Sequence, residues 1–307
     1  MFQYLLVPLD GSPLAEEALC PAAYLAGRSG AVVTLLHVVE RHAPATVHGT
    51  RHLVRAEDAD AYLREVAARA FPPQVRVVCH VHREATENVA RGIVEHLREL
   101  APDTVIMTQH GRDALRNMLF GNLAQQVMGM ADCPVLLVRH DPQAPAQPPA
   151  GGLWRRILVP HEGTAAHEPA LPAAVSLAKL CVIPLHLLWV VPTRATLGGS
   201  ERQAAGMLPG AVQAVLDLEQ KEAVGHLEAD ARRLVGEGLE ATAEVARGDP
   251  ARAIARAART RHADLIVLAT HGHAGTQAFW TGSTAARVLQ RCDTSLLLVP
   301  AAELGHA

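Results

Sequence analysis

Residues 264–283 read DLIVLATHGHAGTQAFWTGS, and the fold is read outward from them. The apolar run Leu265-Ile266-Val267-Leu268 has the length and composition of a strand buried on both faces. It breaks into the small-residue turn Ala269-Thr270-His271-Gly272, and after a gap of nine residues the chain reaches Gly282-Ser283. Turns at the carboxyl ends of parallel strands present backbone N–H groups outward, and a helix starting just beyond adds the positive end of its dipole. Gly272 and Gly282-Ser283 thus have the makings of a phosphate cradle, with Ser283 adding a hydroxyl and Thr284 opening the helix. The layout also occurs at 103–122, DTVIMTQHGRDALRNMLFGN, where Gly111 and Gly121 keep the same nine-residue gap.

The duplication is general. LLVPLDGS at 5–12 returns as ILVPHEGT at 157–164, and LLHVV at 35–39 as LLWVV at 187–191, each displaced by 152 residues. The glycine loop returns displaced by 161 (272 against 111), so the second copy gains nine residues, placed in a longer loop and helix at 203–236. A repeat of this length means duplicated domains rather than a solenoid. The 307 residues divide into domain 1 at 1–140, a linker at 141–152 (DPQAPAQPPAGG) and domain 2 at 153–307.

Within the first copy the pattern predicts strands at 4–8, 31–39, 75–82, 105–108 and 134–138. Helices are expected from Pro13 to about 27, at 53–70, 86–100 and 118–130, with Ser12 as the first N-cap. In the second copy Asp249-Pro250 gives the third helix a cleaner start than Ala85-Thr86 gives its counterpart. Alternating strands and helices argue a parallel sheet covered on both faces. In such a sheet the ligand crevice lies where the winding reverses, at the carboxyl ends of the strands. If strands one and four flank that point, Asp10 meets Gly111 and Gly121.

Composition excludes several classes. A formal net charge of -3, with arginines scattered among acids, supplies no field for a nucleic acid. No apolar run is long enough to span a membrane and no signal peptide precedes the first strand, so a cytoplasmic protein is expected. Cys20, Cys79, Cys133, Cys181 and Cys292 form no close pair and read as small core residues. Lys179 and Lys221 are the two lysines, neither after a glycine-rich turn, so a Walker-type loop is absent. His80 and His82 share one face of a strand and His271 and His273 sit in the loop, but no third ligand follows at metal-binding spacing. A solvated strand face and turn histidines are the expected roles, with no metal site from the protein alone. No nucleophile with a spaced base and no paired carboxylates appear, so an enzyme is not expected.

The strand end I-L-V-P-x-D, the L-L-H-V-V second strand and the glycine loop before the last helix resemble the universal stress protein family, here as a tandem pair. The resemblance spans residues 3–140 and 154–300. It implies two tandem five-stranded parallel open sheets of order 3-2-1-4-5 with helices on both faces, of the adenine nucleotide alpha hydrolase-like type. It also implies intramolecular pairing of the domains through their last strands, or a homodimer, and in one branch ATP binding, with or without Mg. Carried over, the nucleotide contacts are Pro8, Leu9, Asp10, Val38, Met107, Thr108, Gly111, Gly121 and Asn122 in the first half. In the second they are Glu162, Val190, Ala269, Gly272, Gly282, Ser283 and Thr284.

Departures from the family pattern leave two readings. Thr108 and Ala269 stand where the loop opens with glycine, Asn122 replaces the hydroxyl residue, and Glu162 is one methylene longer than Asp. Arg112 and Arg116 add charge to the first loop. One reading is a cytoplasmic stress-response protein binding ATP or a related adenine nucleotide in at least one domain, with slow ATP hydrolysis at most. The alternative is an interaction scaffold of the same fold that binds no nucleotide.

Overall fold

The computed structural model describes the chain apart from residues 44–45, 48–49, 110–122, 142–147, 150, 162–168, 271–282 and 302–307. Two compact units result, the first holding residues up to Leu153 together with Ser295–Pro300, the second beginning at Trp154.

The first unit runs β1 (Tyr4–Pro8), α1 (Pro13–Glu16), α2 (Leu19–Ser29), β2 (Val32–Glu40), the short strands β3 (Thr46–Val47) and β4 (Thr50–Arg51), α3 (Ala56–Ala70) and β5 (Arg76–Thr86). It continues through α4 (Val89–Leu100), β6 (Thr104–Gln109), α5 (Leu123–Met130) and β7 (Val135–Arg139). Its main strands stand in the order β5-β2-β1-β6-β7 and pair in parallel. In repeat numbering this is 3-2-1-4-5, with the direction of winding reversing between β1 and β6. Central strands read as continuous apolar runs because both faces are covered: Leu5, Leu6 and Val7 on β1, and Val105 and Ile106 on β6, are buried.

The second unit contains β8 (Ile157–Pro160), α6 (Ala170–Cys181), β9 (Leu185–Val191), α7 (Gly199–Met207), α8 (Pro209–Gly236), β10 (Ala241–Arg247), α9 (Pro250–Thr260), β11 (Leu265–Thr270) and α10 (Thr284–Arg291). Its strands lie parallel in the order β10-β9-β8-β11, the same 3-2-1-4 sequence. The last strand, β12 (Ser295–Pro300), lies in the first unit, antiparallel to β7, with Leu296 opposite Leu137 and Leu298 opposite Val135.

Several element boundaries differ from expectation. The single helix predicted from Pro13 is two, because Pro21 has no N–H to give the Glu17 carbonyl, and the chain tightens through Glu17 N–H to Leu14 O and Ala18 N–H to Ala15 O. The third strand extends to Thr86 rather than 82, and α4 starts after Asn88, whose Oδ1 accepts the Arg91 amide at 3.0 Å. Asp249 caps α9 in the expected way, accepting the Arg252 amide at 3.0 Å. The expected loop at 40–50 carries the β3–β4 pair, and 203–236 falls in α7 and α8. Residues 118–122 of the predicted fourth helix lie outside the described residues. None of the five cysteines is in a disulfide; Cys20, Cys181 and Cys292 are buried as expected, whereas Cys79 and Cys133 are only partly so.

Candidate functional site

In the first unit the crevice position is set by β1 and β6, neighbours whose carboxyl ends carry Asp10 and Thr108. Leu9 continues the β1 ladder, its amide donating to Leu36 O at 2.8 Å, so Asp10 is the first residue off the strand. The Asp10 carboxylate turns back on the chain: Oδ1 accepts the Ser12 amide at 2.8 Å. Between them Gly11 has φ +88°, and a Cβ there would stand 2.9 Å from Leu53 Cδ1. Buried Ser12 then caps α1 by accepting the Ala15 amide at 3.2 Å. The strand-one end is thus fixed by its own turn chemistry, and the Asp10 Oδ2 oxygen is left without a bond among the described residues.

Beside it, Tyr62 of α3 donates to Glu16 Oε1 at 3.0 Å, and Arg69 also bonds Glu16. Burial, Glu16 and Asp10 all press the Tyr62 hydroxyl upward, so it stays a neutral donor.

Pro8 pairs with Leu36, Leu9 and Met107 are buried, and Val38 is covered by α4 at Gly92, where an added Cβ would lie 3.0 Å from Val38 Cγ1. Thr108 differs from its neighbours. Its Oγ1 is buried and makes no hydrogen bond among the described residues. A buried hydroxyl without a partner costs about 1–3 kcal/mol.

In the second unit Val190 of β9 is buried and paired with Ala246, and Ala269 is buried at the end of β11. Ser283 is the N-cap of α10: its Oγ accepts the Ala286 amide at 3.1 Å, and Thr284 is the first helical residue. The hydroxyl that the sequence offers to a phosphate is therefore already engaged as a cap, with its own proton left to give. Gly111, Gly121, Asn122, Glu162, Gly272 and Gly282, with Arg112, Arg116, His271 and His273, lie outside the described residues.

Three features escaped the sequence. His161, next to Glu162, is buried, and its Nε2 lies 3.2 Å from Asp230 Oδ2 of α8, while Nδ1 has no partner among the described residues. His37 of β2, also buried, has both ring nitrogens on backbone carbonyls. His80 and His82 are not on a solvated face: His82 Nδ1 lies 3.0 Å from Nε2 of buried His96, whose Nδ1 lies 3.0 Å from Glu99 Oε2, and the His80 ring meets His96 edge-on at 4.5 Å. A carboxylate only accepts, so His96 donates to Glu99 and accepts from His82. Among the described residues no cluster of His, Cys, Asp and Glu could hold a metal ion, and no helix is long and apolar enough to cross a membrane.

Comparison with known proteins extends the likeness to both halves. Universal stress protein YxiE of Bacillus subtilis (strain 168) is 25% identical over 151 residues, covering 45% of this chain and all of the relative. Universal stress protein MJ0531 of Methanocaldococcus jannaschii is 28% identical over 145 residues, covering 45% of this chain and 83% of the relative. Among solved structures, a universal stress protein from Archaeoglobus fulgidus DSM 4304 superposes with a TM-score of 0.64 at 16% identity, covering 98% of each chain. A second, a putative universal stress protein from Pseudomonas aeruginosa UCBPP-PA14, has the same TM-score and identity over 97% of this chain and 93% of its own. With the Universal stress protein family profile matching residues 1–139 and again 153–300, and with that fold in its structure, the chain belongs to the universal stress protein family as a tandem pair.

Proposed function

We propose that the chain binds an adenine nucleotide, ATP with or without Mg, in at least one of its two units, and works through nucleotide-linked conformation or choice of partner. The observation that carries this reading is the Thr108 hydroxyl, buried without a bond among the described residues at the carboxyl end of β6, on the strand beside β1, which leads into Asp10. A hydroxyl and a carboxylate oxygen, both unspent, on adjacent strands where the winding reverses suit a nucleoside's hydroxyl and amine groups. The binding is not catalysis: one carboxylate beside a phosphate binds before it reacts, and slow hydrolysis is the most this site supports. The same reading makes it a cytoplasmic protein.

Isothermal titration of the full chain with ATP, with and without Mg, tests it. Saturable binding that weakens at least tenfold in Asp10→Ala or Thr108→Val is expected, and no saturation at millimolar nucleotide overturns it. A second reading, a scaffold without nucleotide, draws on Ser283, whose oxygen is spent as a helix cap, and on Asp10, half engaged in its own turn. Protein purified from cells and heated distinguishes them: released adenine nucleotide favours the first, and its absence from a folded sample the second.

A further inference from the structure

His37 is 1% exposed, and its ring is held between two oxygens of the same kind. Nδ1 lies 2.8 Å from Leu9 O, at the carboxyl end of β1, and Nε2 lies 3.0 Å from Leu53 O, in the segment between β4 and α3. Carbonyl oxygens only accept. A neutral imidazole has one N–H, so it serves one of these oxygens and turns a lone pair toward the other. The imidazolium, with two N–H groups, serves both.

Leu53 also covers Gly11, the residue after Asp10, so the bond on its carbonyl and the packing of its side chain act on the same turn. The titratable groups facing the ring are Asp10, beyond the end of β1, and buried His52, in the segment that carries Leu53; Glu40 at the end of β2 lies 3.7 Å from His52. We propose that His37 is a proton-operated latch: the cationic ring ties the segment at Leu53 to the end of strand one, and the neutral ring holds one of them and releases the other.

Burial holds the ring below its ordinary value, the two carbonyls and Asp10 pull the other way, and His52 adds to the effect of burial. The neutral, half-released form is therefore the one present at pH 7, and the fully tied form appears on acidification. The latch depends on no ligand.

Nuclear magnetic resonance of the full chain, labelled with nitrogen-15, tests it between pH 7.5 and 5. The expected result is that the His37 ring passes from one protonated nitrogen to two, and that the Leu53 and Val54 amide signals move with the same midpoint. In His52→Gln that joint movement persists, and in His37→Gln it disappears. The wild-type protein suffices if His37→Gln does not fold. A ring that titrates while Leu53 and Val54 stay still, a ring that keeps one N–H throughout, or a movement that follows His52 instead overturns the proposal.

Discussion

The Gln3 backbone amide donates to Asp103 Oδ2 at 2.7 Å, and the Phe2 amide donates to Oδ1 at 2.9 Å. The second copy repeats the arrangement: Asp264 accepts the Arg155 amide at 2.9 Å and the Arg156 amide at 3.1 Å. In both units, then, the acid that opens strand four clamps the entry of strand one, so two central strands of each sheet share an origin. Charge-assisted bonds to backbone N–H groups contribute about 1.5–3 kcal/mol. Asp103→Ala is expected to lower unfolding stability by about 2–4 kcal/mol, and Asp103→Asn by less. Urea denaturation followed by circular dichroism measures both, and an unchanged midpoint would show the clamp to be idle.

Gly11→Ala is expected to cost about 1–3 kcal/mol. The residue holds φ +88°, where a Cβ is strained in itself, and the added methyl would meet Leu53 Cδ1 at 2.9 Å. Leu53→Ala in the same chain removes the clash while leaving the strain, so the pair of substitutions should recover part of the loss. Thermal unfolding of the single and double variants reads this out.

Thr108→Val separates stability from binding. Replacing the unbonded hydroxyl by a methyl of similar size leaves stability unchanged or raises it by up to about 2 kcal/mol. Nucleotide affinity should fall in the same variant. A loss of stability would instead mean that the hydroxyl has a structural partner.

Stability should fall as the solution is acidified from pH 7 to 5. Burial holds His37, His80 and His186 below the ordinary histidine value, aided at His80 by His96 and at His186 by Arg261. With folded values depressed, the unfolded chain takes up protons first, so the stabilisation is present above about pH 6.5 and is lost as pH falls through the folded values. His186→Gln should flatten the slope. A stability that rises on acidification over this range contradicts the assignment.

Thiol chemistry should follow burial. Burial pushes the Cys20 thiol up to about 11 and Cys133 up to about 12, the latter with help from Asp132 and Asp103. Cys79, on edge strand β5, is raised less and is only partly buried. Iodoacetamide at pH 8 followed by peptide mass spectrometry should find Cys79 labelled first.

Much of the architecture was legible because buried parallel strands announce themselves as unbroken apolar runs, as at 5–7 and 265–268. The third strand of the first unit, β5, was harder: at an edge, with mixed exposure, the run from Arg76 to Thr86 carries histidines and arginine that mask its length. The break at Glu17 was also written in the chain, in Pro21, but the small apolar residues around it read as one continuous helical face. Of the candidate site, the Asp10 turn and the strand ends were readable because turn chemistry sits next to them. The His37 fork was not, since both acceptors are backbone oxygens and a carbonyl leaves no mark in the sequence. His161 and Asp230 meet across 69 residues of chain, a distance that no local pattern spans.

The place of β12 beside β7 bears on how the protein is made. Leu297 must find Leu136 across 161 residues of chain (297 against 136), so the strand that completes the first sheet is made long after β7. Until β12 is made the Val135–Arg139 border therefore stands bare, with its row of amides and carbonyls open to any extended neighbour. A message truncated after the linker would yield a product with that border permanently raw, prone to stick to itself or to occupy a chaperone.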